Sequence, residues 1–288
     1  MSIEITDAFV DQYSANVLTL AQQMESRFER AVDVDSGIVG QSKSVERIGA
    51  GEAYDITTRH GDTQYVDTPH SKRWIDLADK GYADLVDELD KVRMLIDPTS
   101  DYVRAAVMAL NRAKDDFIIA ALRGTARAST DSGGDIVLPS AQKIAHGSAG
   151  LTVDKLLTTK QLLDEAEVDE EEDRFIGVTA EQISNLLTDP EVTSSDYVTV
   201  KALVEGKIDT YLGFKFIRSE RLIKASTTRY CLAWARTGCR LGIGKNVITS
   251  IDRIPTKNNA VQIFARMSLG AVRTEEVRVV EIACTETA

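Results

Sequence analysis

The sequence predicts an α+β protein. Three observations lead there. Residues 100–123 carry one long amphipathic helix pattern. Residues 151–222 alternate between helix-period and strand-period stretches. From Arg229 onward the chain is dominated by strand patterns.

Residues 1 to about 35 show apolar side chains at spacings of three and four: Phe9, Tyr13, Val17, Leu20, Met24 and Phe28. This predicts an amphipathic helix whose apolar face rests on the body of the protein or on a neighbouring subunit. Residues 36–82 differ. Short apolar residues alternate with charged ones in "SVERI", "AYDITTR" and "RWIDLA", interrupted by Gly49, Gly51, Gly61 and Pro69. Alternation of this kind suits strands with one wet face. The stretch is long and polar, so an extended hairpin reaching away from the body fits it better than a compact domain. Residues 82–97 return to a helix pattern that stops at Pro98.

The helix over 100–123 has Ser100 as its expected N-cap and Gly124 just past its end. At about 1.5 Å per residue it is about 35 Å long, a spine for a domain. A Gly/Ser-rich loop, "TARASTDSGGDIVLPS", follows. Thr152 is the expected cap of a helix beginning at Val153. "RFIGVT" reads as a strand. Thr179 and Gln182 match a capping box for "AEQISNLL", which stops before Pro190. A further helix is expected around Asp196 to Val204. Then "GKIDTYLGFKFIRSERL", 206–222, gives two short strands meeting at Gly213. The end of the chain supplies "RYCLAWAR", "NVITSIDRI", "AVQIFARMSLGAVR" and "VRVVEIAC", with turns at 255–259 and 274–276. The last three are expected to pair as an antiparallel meander.

The chain has 288 residues, 45 acidic and 34 basic side chains and a net charge of −11. That balance gives no general attraction to nucleic acid or to an anionic membrane. The N-terminus lacks signal-peptide character, and the apolar run Phe117 to Leu122 is far too short for a membrane span. Cys231, Cys239 and Cys284 are too scattered for a disulfide framework and are expected to be inert apolar residues of a protein made in a reducing cytoplasm.

Reactive constellations are not evident. His60 and His70 have no partners at metal-ligand spacing. Ser148 in "AHGSAG" lacks a nucleophile elbow. "LGIGKN", 241–246, fails as a phosphate loop: Asn246 follows the lysine, and Cys239 stands where the first glycine belongs. It reads as a turn between structural elements. Five consecutive acids, Asp169 to Asp173, cannot all converge on one ion and read as a solvated loop.

The order of parts resembles the major capsid protein of tailed bacteriophages, the Hong Kong 97-type fold. "GLTVDKLLTTKQLLDEAEVDEEEDRFIGVTAEQISNLL" (150–187) is similar to the start of that family's axial domain. "GKIDTYLGFKFIRSERL" is similar to its later axial strand pair, and "SLGAVRTEEVRVVEIAC" (268–284) to its last strand pair. The resemblance implies an N-terminal arm over 1–35 and an extended hairpin loop over 36–82. It implies a peripheral domain over 83–150 and 245–288, with the spine helix 100–123, and an axial α/β domain over 151–244. It implies a structural protein with no catalysis, cofactor or metal, which self-assembles as hexamers and pentamers into an icosahedral head shell of the virion. That shell encloses double-stranded DNA without sequence-specific binding. Further implied partners are a portal protein, a cement protein and, since the arm begins at or near residue 1, a separate scaffolding protein; the alternative is a trimmed, mature chain. Lys43, Lys72 and Lys80 near the hairpin have no recognisable cross-linking partner. The charged residues expected at contacts between subunits are Arg47, Glu52, Arg59, Asp62, Lys72, Arg73, Glu170, Glu171, Arg218 and Arg221. Rival readings are an encapsulin-type compartment shell and a metal-dependent hydrolase built on the acidic run.

Overall fold

The computed structural model describes residues 22–59, 61–86, 99–128, 134–188 and 210–286. The expected helices over 87–97 and 196–204, the arm up to residue 21 and His60 lie outside the described residues. The chain divides into two compact units. One comprises Met1–Ser26, Asp79–Lys114 and Lys245–Ser268; the other comprises Arg27–Ala78, Asp115–Gly244 and Leu269–Ala288.

The helical pattern expected up to residue 35 does not persist in the described part. A short 3-10 turn, Glu29–Ala31, leads into strand β1, Asp33–Ser36. Tertiary partners override the local periodicity here. The Arg27 and Phe28 amides both donate to the Asp115 carboxylate. The Phe28 ring is fully buried, 5.6 Å from the Trp234 ring. β1 itself pairs in parallel with residues 240–243.

Strands β2, Ser42–Ile48, and β3, His70–Asp76, form the expected hairpin, in the register Ser42↔Asp76 through Ile48↔His70. One face is dry: Val45 and Ile75 join Ile38, Ala126 and Val272 in a small core. The expected strand at "AYDITTR" is absent; residues 49–57 have no regular structure and are exposed. β4, Ala78–Val86, replaces the start of the helix expected at 82, because a strand of β14 lies beside it. Five residues are compatible with either period, and the neighbouring strand decides.

Helix α1, Thr99–Arg123, matches the predicted spine, with Ser100 one residue inside it. Gly124 closes it, its N–H donating to the Ala120 carbonyl at 2.7 Å. Short strands β5, Ala126–Arg127, and β6, Asp135–Ile136, pair antiparallel, and β7 covers Lys143–Ile144. Helix α2, Val153–Glu165, is capped by the Thr152 hydroxyl, which accepts from the Lys155 amide. β8, Arg174–Val178, is buried along its whole length. Helix α3, Ala180–Thr188, does not use the expected capping box. Gln182 instead accepts from the Leu151 amide, and the Thr179 hydroxyl donates to Glu286. The first amide of α3 is capped from a distance by the Glu220 carboxylate.

β9, Thr210–Tyr211, and β10, Phe214–Arg218, meet as predicted at Gly213. Leu212 and Gly213 both have positive φ, as the tight primed hairpin turns require. β11, Lys224–Ala225, and β12, Thr228–Ala235, follow. Then come two long strands, β13, Cys239–Ile254, and β14, Ala260–Arg273, and finally β15, Val279–Thr285. "LGIGKN" is thus the interior of β13, not a turn. Gly242 is there because a Cβ would stand 2.5 Å from Ile38 and 2.8 Å from Ile75.

The expected meander is half present. β13 and β14 are neighbours in a four-stranded sheet ordered β1-β13-β14-β4. β15 leaves it for a seven-stranded sheet ordered β7-β15-β12-β8-β10-β9, with β11 attached to β12. There β15 pairs antiparallel with β12 and in parallel with β7. β8 and β10 are parallel, joined through a crossover that contains α3. Trp234 anchors this sheet, stacked on Phe175, in tilted contact with Phe28 and donating its indole N–H to the Ala31 carbonyl.

Candidate assembly surfaces

The hairpin is the most exposed part of the described chain. Beyond the β2–β3 ladder, residues 49–59 and 61–69 have no helix or strand, and Glu52, Arg59 and Asp62 among them are exposed. Four apolar side chains are exposed with them: Tyr54, Ile56, Tyr65 and Val66. On the ladder, Lys72 faces Glu46 across the strands at 3.0 Å, with both side chains mostly in water.

The other two hairpin candidates turn toward the 274–276 turn, Arg73 buried and Arg47 half-buried. Arg73 is 3% exposed and grips Glu276 through both carboxylate oxygens, at 3.0 and 3.1 Å. Arg47 approaches Glu275 and Glu276 at 3.6 and 3.9 Å. Their target is the 274–276 turn, which sequence reasoning marked as a turn only. Arg273 reaches the same site from the end of β14. It is fully buried, donates to the Leu122, Gly124 and Ile136 carbonyls, and burial depresses its pKa. Arg278 joins this turn to the acidic run, bonding Glu275 at 2.6 Å and Glu172 at 2.7 Å.

The acidic run is therefore divided by role. Asp169 caps the Glu171 amide, Glu172 holds Arg278 and the Thr237 amide, and Asp173 holds Lys215 at 2.6 Å. Glu170 and Glu171 project into solvent. Among the described residues, no three His, Cys, Asp or Glu side chains gather as metal ligands would. No described helix is long and apolar enough to cross a membrane.

At the end of the β9–β10 stretch, Arg221 binds Asp116 of α1 through two guanidinium nitrogens, and the carbonyl of Arg218 accepts from the Arg27 guanidinium. Beside them, two sites escaped the sequence reading. Glu286, next to the end of the chain, receives Arg229 at 2.6 and 2.8 Å and Lys224 at 3.2 Å. The hydrogen bond from Arg229 is the main cause that lowers the Glu286 pKa to about 2. Lys155 is buried and donates to four carbonyls, those of His146, Ala149, Gly150 and Ala283, at 2.8–3.0 Å. It ties the loop before α2 to β15, and desolvation lowers its pKa. Only placement in three dimensions reveals either site, since neither has a local motif. The three cysteines are free and buried; burial pushes the Cys239 thiol up to about 12.

Comparison with known proteins gives this geometry a context. A family model described as "Phage capsid protein" matches residues 5–286. A comparison with curated proteins finds no match. Among solved structures, the capsid of cyanophage P-SCSP1u superposes with a TM-score of 0.75 at 15% identity, covering 98% of this chain and 95% of that one. A structure of Mycobacterium phage Che8 gives 0.70 at 19% identity, covering 95% and 97%. The capsid of Ralstonia phage GP4 gives 0.73 at 11% identity, covering 97% and 96%. The fold is thus that of Hong Kong 97-type capsid proteins, and with the family match spanning nearly every residue, the chain belongs to the phage capsid protein family as a structural major capsid shell protein of the virion.

Proposed function

We propose that the protein closes into an icosahedral head shell as hexamers and pentamers, encloses a double-stranded DNA genome, and catalyses no reaction. The observation that carries this reading is the extent of the family match, which takes in residues 5–286. In this reading residues 1–35 are an arm along an adjacent subunit and 36–82 the extended loop that overlaps a neighbour. Residues 83–150 and 245–288 form the peripheral domain, and 151–244 the axial domain around the capsomer axis. Glu52, Arg59, Asp62, Lys72, Glu170, Glu171, Arg218 and Arg221 supply charge at subunit contacts, where it sets register more than affinity. Arg47 and Arg73 act on the contact through the 274–276 turn they hold.

The charge of −11 suits a wall that does not grip its cargo. Packaging and ejection then do not have to break phosphate contacts. A separate scaffolding protein, a portal and a cement protein complete the assembly, which begins in the host cytoplasm. The test is electron microscopy of the expressed chain, alone and with a scaffolding protein from a neighbouring gene. Closed shells or five- and six-membered rings are expected. A one-chain particle under both conditions, unmoved by salt or crowding, overturns the proposal.

A further inference from the structure

Cys231 and Cys284 meet across two neighbouring strands of the seven-stranded sheet. β12 and β15 pair with Cys231 opposite Ile282 and Arg229 opposite Cys284. Side chains two residues apart on a strand share a face, so the two cysteines are diagonal neighbours on one face. Both are fully buried, and their thiols hydrogen-bond to each other. The hydrogen bond from Cys231 lowers the Cys284 pKa, and the nearby Lys155 ammonium lowers it further. That hydrogen bond and burial raise the Cys231 pKa well above the ordinary thiol range. Cys284 is therefore the attacking thiol and Cys231 the one that follows. Cys239, at the start of β13 in the other sheet, is an internal comparison.

The pair lies near an end of the β12–β15 ladder. Only Thr228 and Thr285 pair beyond Arg229 and Cys284. Strand ends open more readily than strand centres, and an oxidant close to water in size needs little opening. Hydrogen peroxide is such an oxidant. The Cys284 sulfur attacks one peroxide oxygen and the O–O bond breaks, giving Cys284 sulfenic acid and a water. The Cys231 sulfur then attacks the Cys284 sulfur. The hydroxyl leaves with the Cys231 proton as a second water, and the S–S bond forms. The two thiols are oxidised by two electrons and the peroxide is reduced by two.

We infer that Cys231 and Cys284 are a peroxide-oxidisable dithiol whose disulfide staples the last strand, β15, to β12. Diagonal Cα atoms across an antiparallel pair lie about 7–8 Å apart, against about 4.4–6.8 Å across most disulfides. The strands must slide slightly to close the bond, so added thiols reopen it. Its use rests on the shell reading. A shell assembled among cytoplasmic thiols and then released into aerated surroundings closes the staple after assembly.

The test adds hydrogen peroxide to the full-length chain, free and in shells, after reductant is removed. Remaining thiols are then blocked, and the chain is digested with trypsin without reduction. The expected product is peptide 230–236 joined to peptide 279–288, with Cys239 in peptide 237–240 still a blocked thiol. This is read in wild type, so it needs no substitution to fold. In C231S a 1,3-dione probe is expected to label Cys284 as sulfenic acid; in C284S Cys231 is expected to stay unlabelled. Oxidised wild type is expected to melt a few degrees above the same sample reduced with dithiothreitol, and C231S to show no such difference. Both thiols still free, or both carried to sulfinic acid without joining, overturns the staple whether or not shells form. A joined pair in a chain that forms neither rings nor shells supports the staple and overturns the shell reading.

Discussion

Glu286 and Lys155 each concentrate buried charge on one strand end, and each makes a measurable prediction. The Glu286 carboxylate has a folded pKa of about 2 against an ordinary 4.5. Folding therefore favours its ionised form. Its contribution, about 3 kcal/mol at most, is fully present above pH 4.5 and is lost as pH falls through about 2. Thermal denaturation of wild type and E286Q across this range is expected to show wild type more stable at pH 6, with the gap narrowing steadily below pH 4.5. A gap independent of pH sinks this assignment. The three N–H groups of Lys155 are shared among four carbonyls. K155M leaves them without that donor in a buried site, at a cost of about 3 kcal/mol. Denaturant titration and faster hydrogen exchange at 146–151 check this, and an unchanged midpoint contradicts it.

Among the elements, the long strands depend on two glycines. Gly270 of β14 faces β3 so closely that a Cβ would lie 2.0 Å from the Asp76 carbonyl oxygen. G270A is therefore expected to cost more than about 2 kcal/mol, since backbone on both sides must shift. Expression with lower yield and a depressed melting temperature reports it; wild-type stability argues against the packing described. T152A, which removes only the cap of α2, is expected to cost about 1 kcal/mol. The hairpin loop behaves in the opposite way. Residues 50–67 are almost all exposed, so replacing 51–67 by a short turn leaves the β2–β3 ladder and its core in place. The shortened chain is expected to melt within about a degree of wild type and to form no shells. Shells of normal size from it contradict the clasp role.

For the whole molecule, the proposed role as a shell around DNA makes a prediction about charge. A chain with 45 acidic and 34 basic residues is expected not to retard double-stranded DNA in a gel at 0.15 M salt. Tight binding with a steep salt dependence contradicts the picture of a wall that leaves its genome free. Assembly is expected to respond to salt differently. The proposed contacts between subunits carry charged side chains, so screening weakens them, while any apolar contact keeps part of the affinity. Sedimentation across an ionic-strength series measures both.

By itself the sequence determined the elements whose signals are local. The spine helix, the Thr152 cap, the Gly213 turn, the β2–β3 hairpin and the order of parts resembling a capsid protein all rest on residues close together in the chain. Periodicity and turn chemistry act over a few residues, so they survive in any tertiary setting. Tertiary structure alone decided the rest. Phe28 left its helical pattern because Trp234 and Asp115 hold it. "LGIGKN" became strand because β1 and β14 lie on either side of it. β15 abandoned its neighbour in sequence for β12 and β7. The contact candidates divided likewise: Glu52, Arg59 and Asp62 stayed on the surface, while Arg73 turned inward to Glu276, 203 residues away. An arginine's charge is visible in a sequence, but its partner depends on which strands the fold brings together, and that pairing is set by long-range burial rather than by local pattern.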